Sequence, residues 1–149
     1  MSTVFSKIIA GEIPGRFVWQ DETCVGFLSI APLAYGHTLV VPRQEVDRWT
    51  EAEAPLMTHL FQVAHRIGKA QVEAFGSQRA GLSIAGYEVP HLHLHVWPSN
   101  SMADHSFAQA DDDPDQSRMD ESAEKLRVAL RLMGDAEHVP AEHVPAEQD

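Results

Sequence analysis

Basic residues are scarce in this chain, with 11 lysines and arginines against 22 aspartates and glutamates and a formal net charge of −11. That balance argues against general nucleic-acid binding, which needs a positive footprint to displace counterions from phosphates. Cysteine is scarcer still. Cys24 is the one thiol, so no intramolecular disulfide forms, and a reducing, cytoplasmic setting is expected. No apolar run approaches the ~18 residues of a membrane-crossing helix, so no membrane partner is expected. Residues 1–10 lack the basic stretch, long apolar block and small-residue cleavage site of a secretory signal.

What remains is a chain of 149 residues, 44% hydrophobic, which suits one globular domain with a core large enough to need neither disulfide nor structural metal. The acidity is uneven. From Asp104 onward there are 13 acidic and 4 basic residues; the first 103 residues carry 9 and 7. The nearly neutral body leaves room for an anionic small substrate where dipoles and histidines shape a pocket.

Hydrophobic periodicity predicts a short helix over 4–10, ended by Gly11 and Pro14. Strands are expected over 17–20, 24–30 and 37–41. Thr50, with Glu53 three residues on, reads as the N-cap of a long helix whose apolar positions recur from Leu56 to Ala74, and Gly76 reads as its C-cap. Two further strands, 79–85 and 92–97, flank a bend at 86–90. Residues 99–116 read as an exposed loop and 120–133 as a final amphipathic helix. From 135 the chain reads as an acidic, disordered tail containing the repeat Glu137-His138-Val139-Pro140-Ala141 and Glu142-His143-Val144-Pro145-Ala146. His138 and His143 are read as solvated linker, and His59 and His65 as helix residues without a catalytic role.

The chemistry concentrates in His91-Leu92-His93-Leu94-His95-Val96-Trp97-Pro98. Side chains of a strand alternate between faces, so three imidazoles share one face while Leu92, Leu94 and Val96 share the apolar one. Three readings stand on spacing alone. The histidines decorate a polar sheet face; or they converge on one metal ion; or neighbours hold one ring in a reactive tautomer for nucleophilic or acid–base work.

The segment resembles the His-φ-His-φ-His-φ-φ signature of the histidine triad (HIT) superfamily, φ being apolar. Phe5-Ser6-Lys7-Ile8-Ile9-Ala10-Gly11-Glu12-Ile13-Pro14 is similar to its N-terminal helix and turn, and Ala31-Pro32 with Gly36-His37-Thr38-Leu39-Val40-Val41-Pro42 to its central block. The likeness spans residues 4–98 and is strongest to the bacterial, HINT-like, nucleotide-binding branch. It implies an α+β fold: an antiparallel sheet of about five strands, one long helix and short helices, commonly in a homodimer. The expected division is a HIT-like domain over 1–134, with the matching part at 4–98 and an extension at 99–134, followed by the tail at 135–149.

The resemblance implies hydrolysis or transfer of a nucleoside monophosphate, with purine the expected base, through a covalent nucleotidyl-histidine. His93 takes the place of the nucleophile, His91 and His95 flank it, and His37 stands behind it. Phe5, Ile8, Phe27 and Ile30 fall at base-pocket positions, Ser29 at a ribose-contacting one and Glu88 at a phosphate-contacting one, and Leu28 and Gly86 are expected to bind substrate with them. An alternative is a nucleotide-binding or partner-binding module with little catalysis. Departures from the pattern motivate it. Thr3-Val4-Phe5-Ser6 replaces a Cys pair that contributes to structural zinc in relatives, so no metal and no cofactor is expected. Ser29 replaces a ribose-binding Asp. The stretch from Ser83 to Pro90 has no Asn, and Glu88 puts a carboxylate where a hydroxyl is expected. Beyond Ser99 the chain departs from the closest HINT proteins.

Overall fold

The computed structural model describes residues 2–141. Its centre is one antiparallel sheet of five strands: β1 (Phe17–Gln20), β2 (Cys24–Leu28), β3 (Thr38–Pro42), β4 (Arg79–Ser83) and β5 (Leu94–Ser99), in the order β1-β2-β3-β5-β4. Three α-helices accompany it: α1 (Val4–Ile9), α2 (Ala54–Phe75) and α3 (Gln116–Leu130). The α+β architecture expected from the sequence is the one observed. No helix among the described residues is long and apolar enough to cross a membrane.

The sheet has two unlike faces. Val18, Cys24, Leu28, Val40, Leu94 and Val96 meet Leu60, Val63 and Ile67 of α2 and Met119, Leu126 and Leu130 of α3 in the main core. Each fully buried aliphatic side chain there stabilises the fold by roughly 1.5–3 kcal/mol. Helix α2 comes close because β2 offers Gly26, where a Cβ would lie 3.1 Å from Ile67 Cδ1. On the opposite face Phe5 and Ile8 of α1 close a smaller cluster with Phe17, Val25, Phe27, Leu39 and Val41.

Several boundaries differ from the sequence reading. Thr50 lies in a 3-10 turn, Trp49–Glu51, and α2 begins at Ala54 with Pro55 in its first turn. Proline has no N–H and clashes with the carbonyl four residues before it, so a helix begun at Thr50 would break there. Gly76 is the expected C-cap, in the left-handed region at φ +64°. Strand β2 stops at Leu28, short of Ile30. Helix α3 starts at Gln116 because Asp115 caps it, accepting from Ser117 N at 2.9 Å and Arg118 N at 3.2 Å.

The segment expected as an exposed loop, 99–116, instead forms two 3-10 turns, Met102–His105 and Phe107–Gln109. It is fastened at both ends: Gln78 N donates to Asn100 Oδ1, Asp111 N to the Pro32 carbonyl and Asp115 N to Tyr35 Oη. The start of the expected disordered tail is also packed. Asp135 pairs with Arg66 at 2.9 Å, His138 stacks on Trp19 with ring centroids 4.8 Å apart, and Arg131 donates to the Pro140 carbonyl. The remainder of the tail, 142–149, lies outside the described residues.

Candidate active site

The triad begins just before β5, whose first residue is Leu94. Strand pairing sets His95 opposite Leu39, on the Phe5–Phe27 face, while Leu94 and Val96 turn to the helices. His91 precedes the strand and is fully buried. Its Nε2 lies 2.8 Å from the Pro42 carbonyl at the end of β3, and its Nδ1 lies 2.6 Å from Thr3 Oγ1.

His93 is 4% exposed. Its Nδ1 sits 2.7 Å from the His91 carbonyl oxygen. A carbonyl only accepts, so Nδ1 carries the proton and Nε2 is left with its lone pair. Burial depresses the His93 pKa below the usual imidazole value, against the upward pull of the Nδ1 hydrogen bond and of the Glu88 charge. The ring also lines an open cavity of about 460 Å³ with Arg48, Trp49, Ile84, Gly86 and Tyr87 among its walls.

A second chain of hydrogen bonds fixes His95. The Leu33 amide donates to His37 Nδ1 at 3.0 Å, so a neutral His37 keeps its proton on Nε2. That Nε2 lies 3.0 Å from His95 Nδ1 and donates to it. His95 therefore carries its own proton on Nε2, away from His37. Burial and the neighbouring His95 and His93 charges push His37 down to about 3, and burial followed by His93 pushes His95 down to about 4. His37 is placed by Gly36, whose φ of +99° and tight approach to the Phe75 ring leave no room for a Cβ. Gln71 Nε2 holds the Gly36 carbonyl from α2 at 2.9 Å.

The site thus offers a neutral nucleophilic nitrogen on His93 beside a neutral N–H donor on His95, ring centroids 4.8 Å apart. A domain model described as "HIT domain" matches residues 10–102, more than half of the chain. The chain belongs to the HIT family.

Among solved structures, this HIT protein is similar to a Zn-bound histidine triad family protein from Mycobacterium smegmatis, with TM-score 0.79 and 32% identity over 91% of this chain and 98% of that one. Among curated proteins it is 33% identical to Protein hit of Bacillus subtilis over 108 residues, 68% of this chain and 73% of that protein. It is 30% identical to Adenylylsulfatase HINT3 of Arabidopsis thaliana over 118 residues, 70% of this chain and 60% of that protein.

The fold brings His91, His93 and His95 of the HIT protein together, with His37, which the resemblance had added, bonded to His95. Phe5 joins them, its ring centroid 4.9 Å from His93 and 5.6 Å from Phe27, with Ile8 in the same cluster. Gly86 lines the cavity at φ +84°. Glu88 is exposed. Ser29 is buried, its hydroxyl accepting from Ala31 N at 3.3 Å. Leu28 stands away from the histidines, and Ile30 stands outside the core. Leu28 packs on the helix side of the sheet, because it alternates with Phe27. Ile30 lies beyond the strand and is 82% exposed, in neither core cluster.

Sequence reasoning missed Phe107, whose ring centroid lies 4.9 Å from His95 and 5.8 Å from Trp97. It lies in a polar stretch with no periodicity to flag it. Arg48 and Trp49 of the cavity wall were likewise hidden in what read as a linker and a helix start. Among the described residues the triad does not form a group of three close ligand atoms; Asp21, Cys24 and His59 do, away from it. There Asp21 is occupied as a hairpin hub, accepting from Trp19 Nε1, Thr23 N, Cys24 N and His59 Nε2.

Proposed function

We propose that this protein hydrolyses or transfers the nucleotidyl group of a nucleoside monophosphate conjugate, with His93 Nε2 attacking phosphorus. The observation that carries this reading is the bond from His93 Nδ1 to the His91 carbonyl, which commits the lone pair to Nε2 in a ring kept neutral by burial. Attack forms the Nε2–P bond and breaks the bond from phosphorus to the leaving group. The leaving group takes that electron pair and a proton from solvent. The His91 carbonyl steadies the positive charge that develops on the ring, and the His95 Nε2–H donates to a phosphoryl oxygen. Water, or another acceptor, then attacks phosphorus, the Nε2–P bond returns its pair to His93, and the acceptor's proton leaves to solvent.

The apolar cluster of Phe5, Ile8 and Phe27 lies against His93 and supports a flat base as the group bound there, with purine the proposed one. The name Adenylylsulfatase of the Arabidopsis relative supports an adenylyl group as the transferred unit. Ser29 and the exposed Glu88 favour a second reading, a nucleotide-binding module with weak turnover, since neither supplies the grip on ribose and phosphate that the family pattern provides. Incubating the protein with adenosine 5′-phosphoramidate separates the two. The first reading expects turnover that His93→Ala abolishes; equal background rates for both proteins across a panel of nucleotide conjugates reject it.

We further propose a homodimer. Strand β4 is an edge of the sheet, and Leu82 on it stands exposed beside Phe61 and Val72 of α2, over an apolar groove. Sedimentation of the protein at micromolar concentration as a monomer counts against this.

A further inference from the structure

The triad is tied to the first turn of α1 by a polar chain that the reaction itself does not require. His91 Nε2 faces the Pro42 carbonyl, which only accepts, so a neutral His91 is protonated on Nε2 and must accept at Nδ1. The donor within reach is Thr3 Oγ1 at 2.6 Å. Thr3 Oγ1 also lies 3.2 Å from Ser6 Oγ, but its proton goes to His91 Nδ1, the nearer acceptor at 2.6 Å and one with no other donor. Thr3 Oγ1 accepts from Ser6 N at 3.0 Å, while the Ser6 hydroxyl donates to Glu45 Oε1. Glu45 also accepts from the Thr3 amide at 3.1 Å, and these two bonds hold its exposed carboxylate below the usual range. The contacts link the buried His91 ring through Thr3 and Ser6 to Glu45 at the surface. The carbonyl that orients His93 belongs to the same residue whose ring Thr3 holds.

We propose that Thr3 is a positioning residue of the triad: its hydroxyl fixes the His91 ring and hence the carbonyl that aims His93, and Glu45, through Ser6 and the Thr3 amide, sets the direction of that hydroxyl. The proposal rests on the His93 reading above. Thr3 also caps α1, which carries Phe5 and Ile8 of the apolar wall. The two roles separate kinetically. A frayed α1 weakens substrate binding and raises KM; a loosened His91 lowers kcat, because misplacing a nucleophile slows the step without loosening the grip on substrate.

The test compares the wild-type protein with Thr3→Val, Thr3→Ser and Glu45→Gln, using adenosine 5′-phosphoramidate for kinetics and ¹⁵N shifts of the His91 ring, without substrate, for the tautomer. Thr3→Val is expected to lower kcat between about 10- and 100-fold with KM little changed. Thr3→Ser keeps the donor and restores kcat. Glu45→Gln gives a smaller loss in the same direction. The Nδ1 shift of His91 moves in Thr3→Val, moves less in Glu45→Gln and stays in place in Thr3→Ser. A raised KM with kcat intact in Thr3→Val shows a helix cap only and overturns the proposal, as does a His91 Nδ1 signal identical in Thr3→Val and wild type. If the wild-type protein turns over no conjugate, the proposed function fails, while the ring shifts still decide whether Thr3 holds His91.

Discussion

His37 Nε2 lies 3.0 Å from His95 Nδ1, and that one hydrogen bond settles which nitrogen of His95 carries its proton. The direction is imposed from the backbone, since the Leu33 amide occupies His37 Nδ1. Replacing His37 with alanine removes the donor and frees His95 to adopt the other tautomer, presenting a lone pair to an anionic phosphoryl oxygen. The expected loss in kcat for phosphoramidate turnover is about 10- to 100-fold, comparable to the loss of a positioned donor. Steady-state kinetics check it. An unchanged kcat would show that the His95 tautomer has no part in the chemistry.

Burial of the imidazoles predicts the shape of the pH profile. His93 must be neutral to attack, and its pKa is held below the usual 6.5 by desolvation. Activity should therefore persist as pH falls past 6.5, with the acid limb of kcat/KM beginning below that value. A limb at or above it contradicts the account.

The same burial carries a cost in stability with a defined sign. The unfolded chain protonates His37 and His95 near 6.5, whereas the folded one resists until about 3 and about 4. Protons thus bind the unfolded state more readily inside this window. Folding stability is fully present above about 6.5 and declines below it, by at most about 1.4 kcal/mol per pH unit for each such group. Urea titrations at pH 7 and pH 5 should show the decline, and His37→Phe should flatten it.

Asp21 makes the opposite kind of contribution far from the triad. Burial alone would raise its pKa, but donors from Trp19, Cys24, His59 and Thr23 together bring it down to about 2. Its stabilisation is present above the unfolded value near 3.8 and lost as pH falls through about 2. Asp21→Ala should lower stability by about 1–2 kcal/mol, allowing for partial solvent screening, and leave kcat unchanged. Denaturant titration and a single kinetic assay test both halves.

Much of this was readable from residue order. Alternation in 91–97 put Leu94 and Val96 against the helices, because period-2 geometry is local and strong; the resemblance of the Gly36-His37 block put His37 behind His93, whereas its ring bonds to His95. Leu28 follows the same period-2 rule, and its assignment to substrate binding neglected that it alternates with Phe27. What sequence hid was non-local. The start of α2 turned on Pro55, Ile30 on where a strand ends, and Phe107 on a segment folded back by hydrogen bonds to Pro32 and Tyr35, partners about 80 residues away. His138 docking on Trp19 likewise depends on a surface built by distant parts of the chain.

Phe107 has a consequence of its own. It is 41% exposed and its ring covers the flank of His95, beyond the matched domain that ends at residue 102. Phe107→Ala should change turnover selectively among conjugates that differ in leaving group, leaving a common nucleotide's affinity within about twofold, since a lone side-wall contact discriminates by roughly 1–3 kcal/mol. Equal effects on every leaving group would remove Phe107 from substrate choice.

The central claim is a bond between phosphorus and His93. Rapid alkaline quenching of wild-type protein during turnover of adenosine 5′-phosphoramidate, followed by peptide mass spectrometry, tests it most directly. The account predicts an adenylyl adduct on His93 that is absent from His93→Ala. Turnover with no adduct, or an adduct on another side chain, would contradict it.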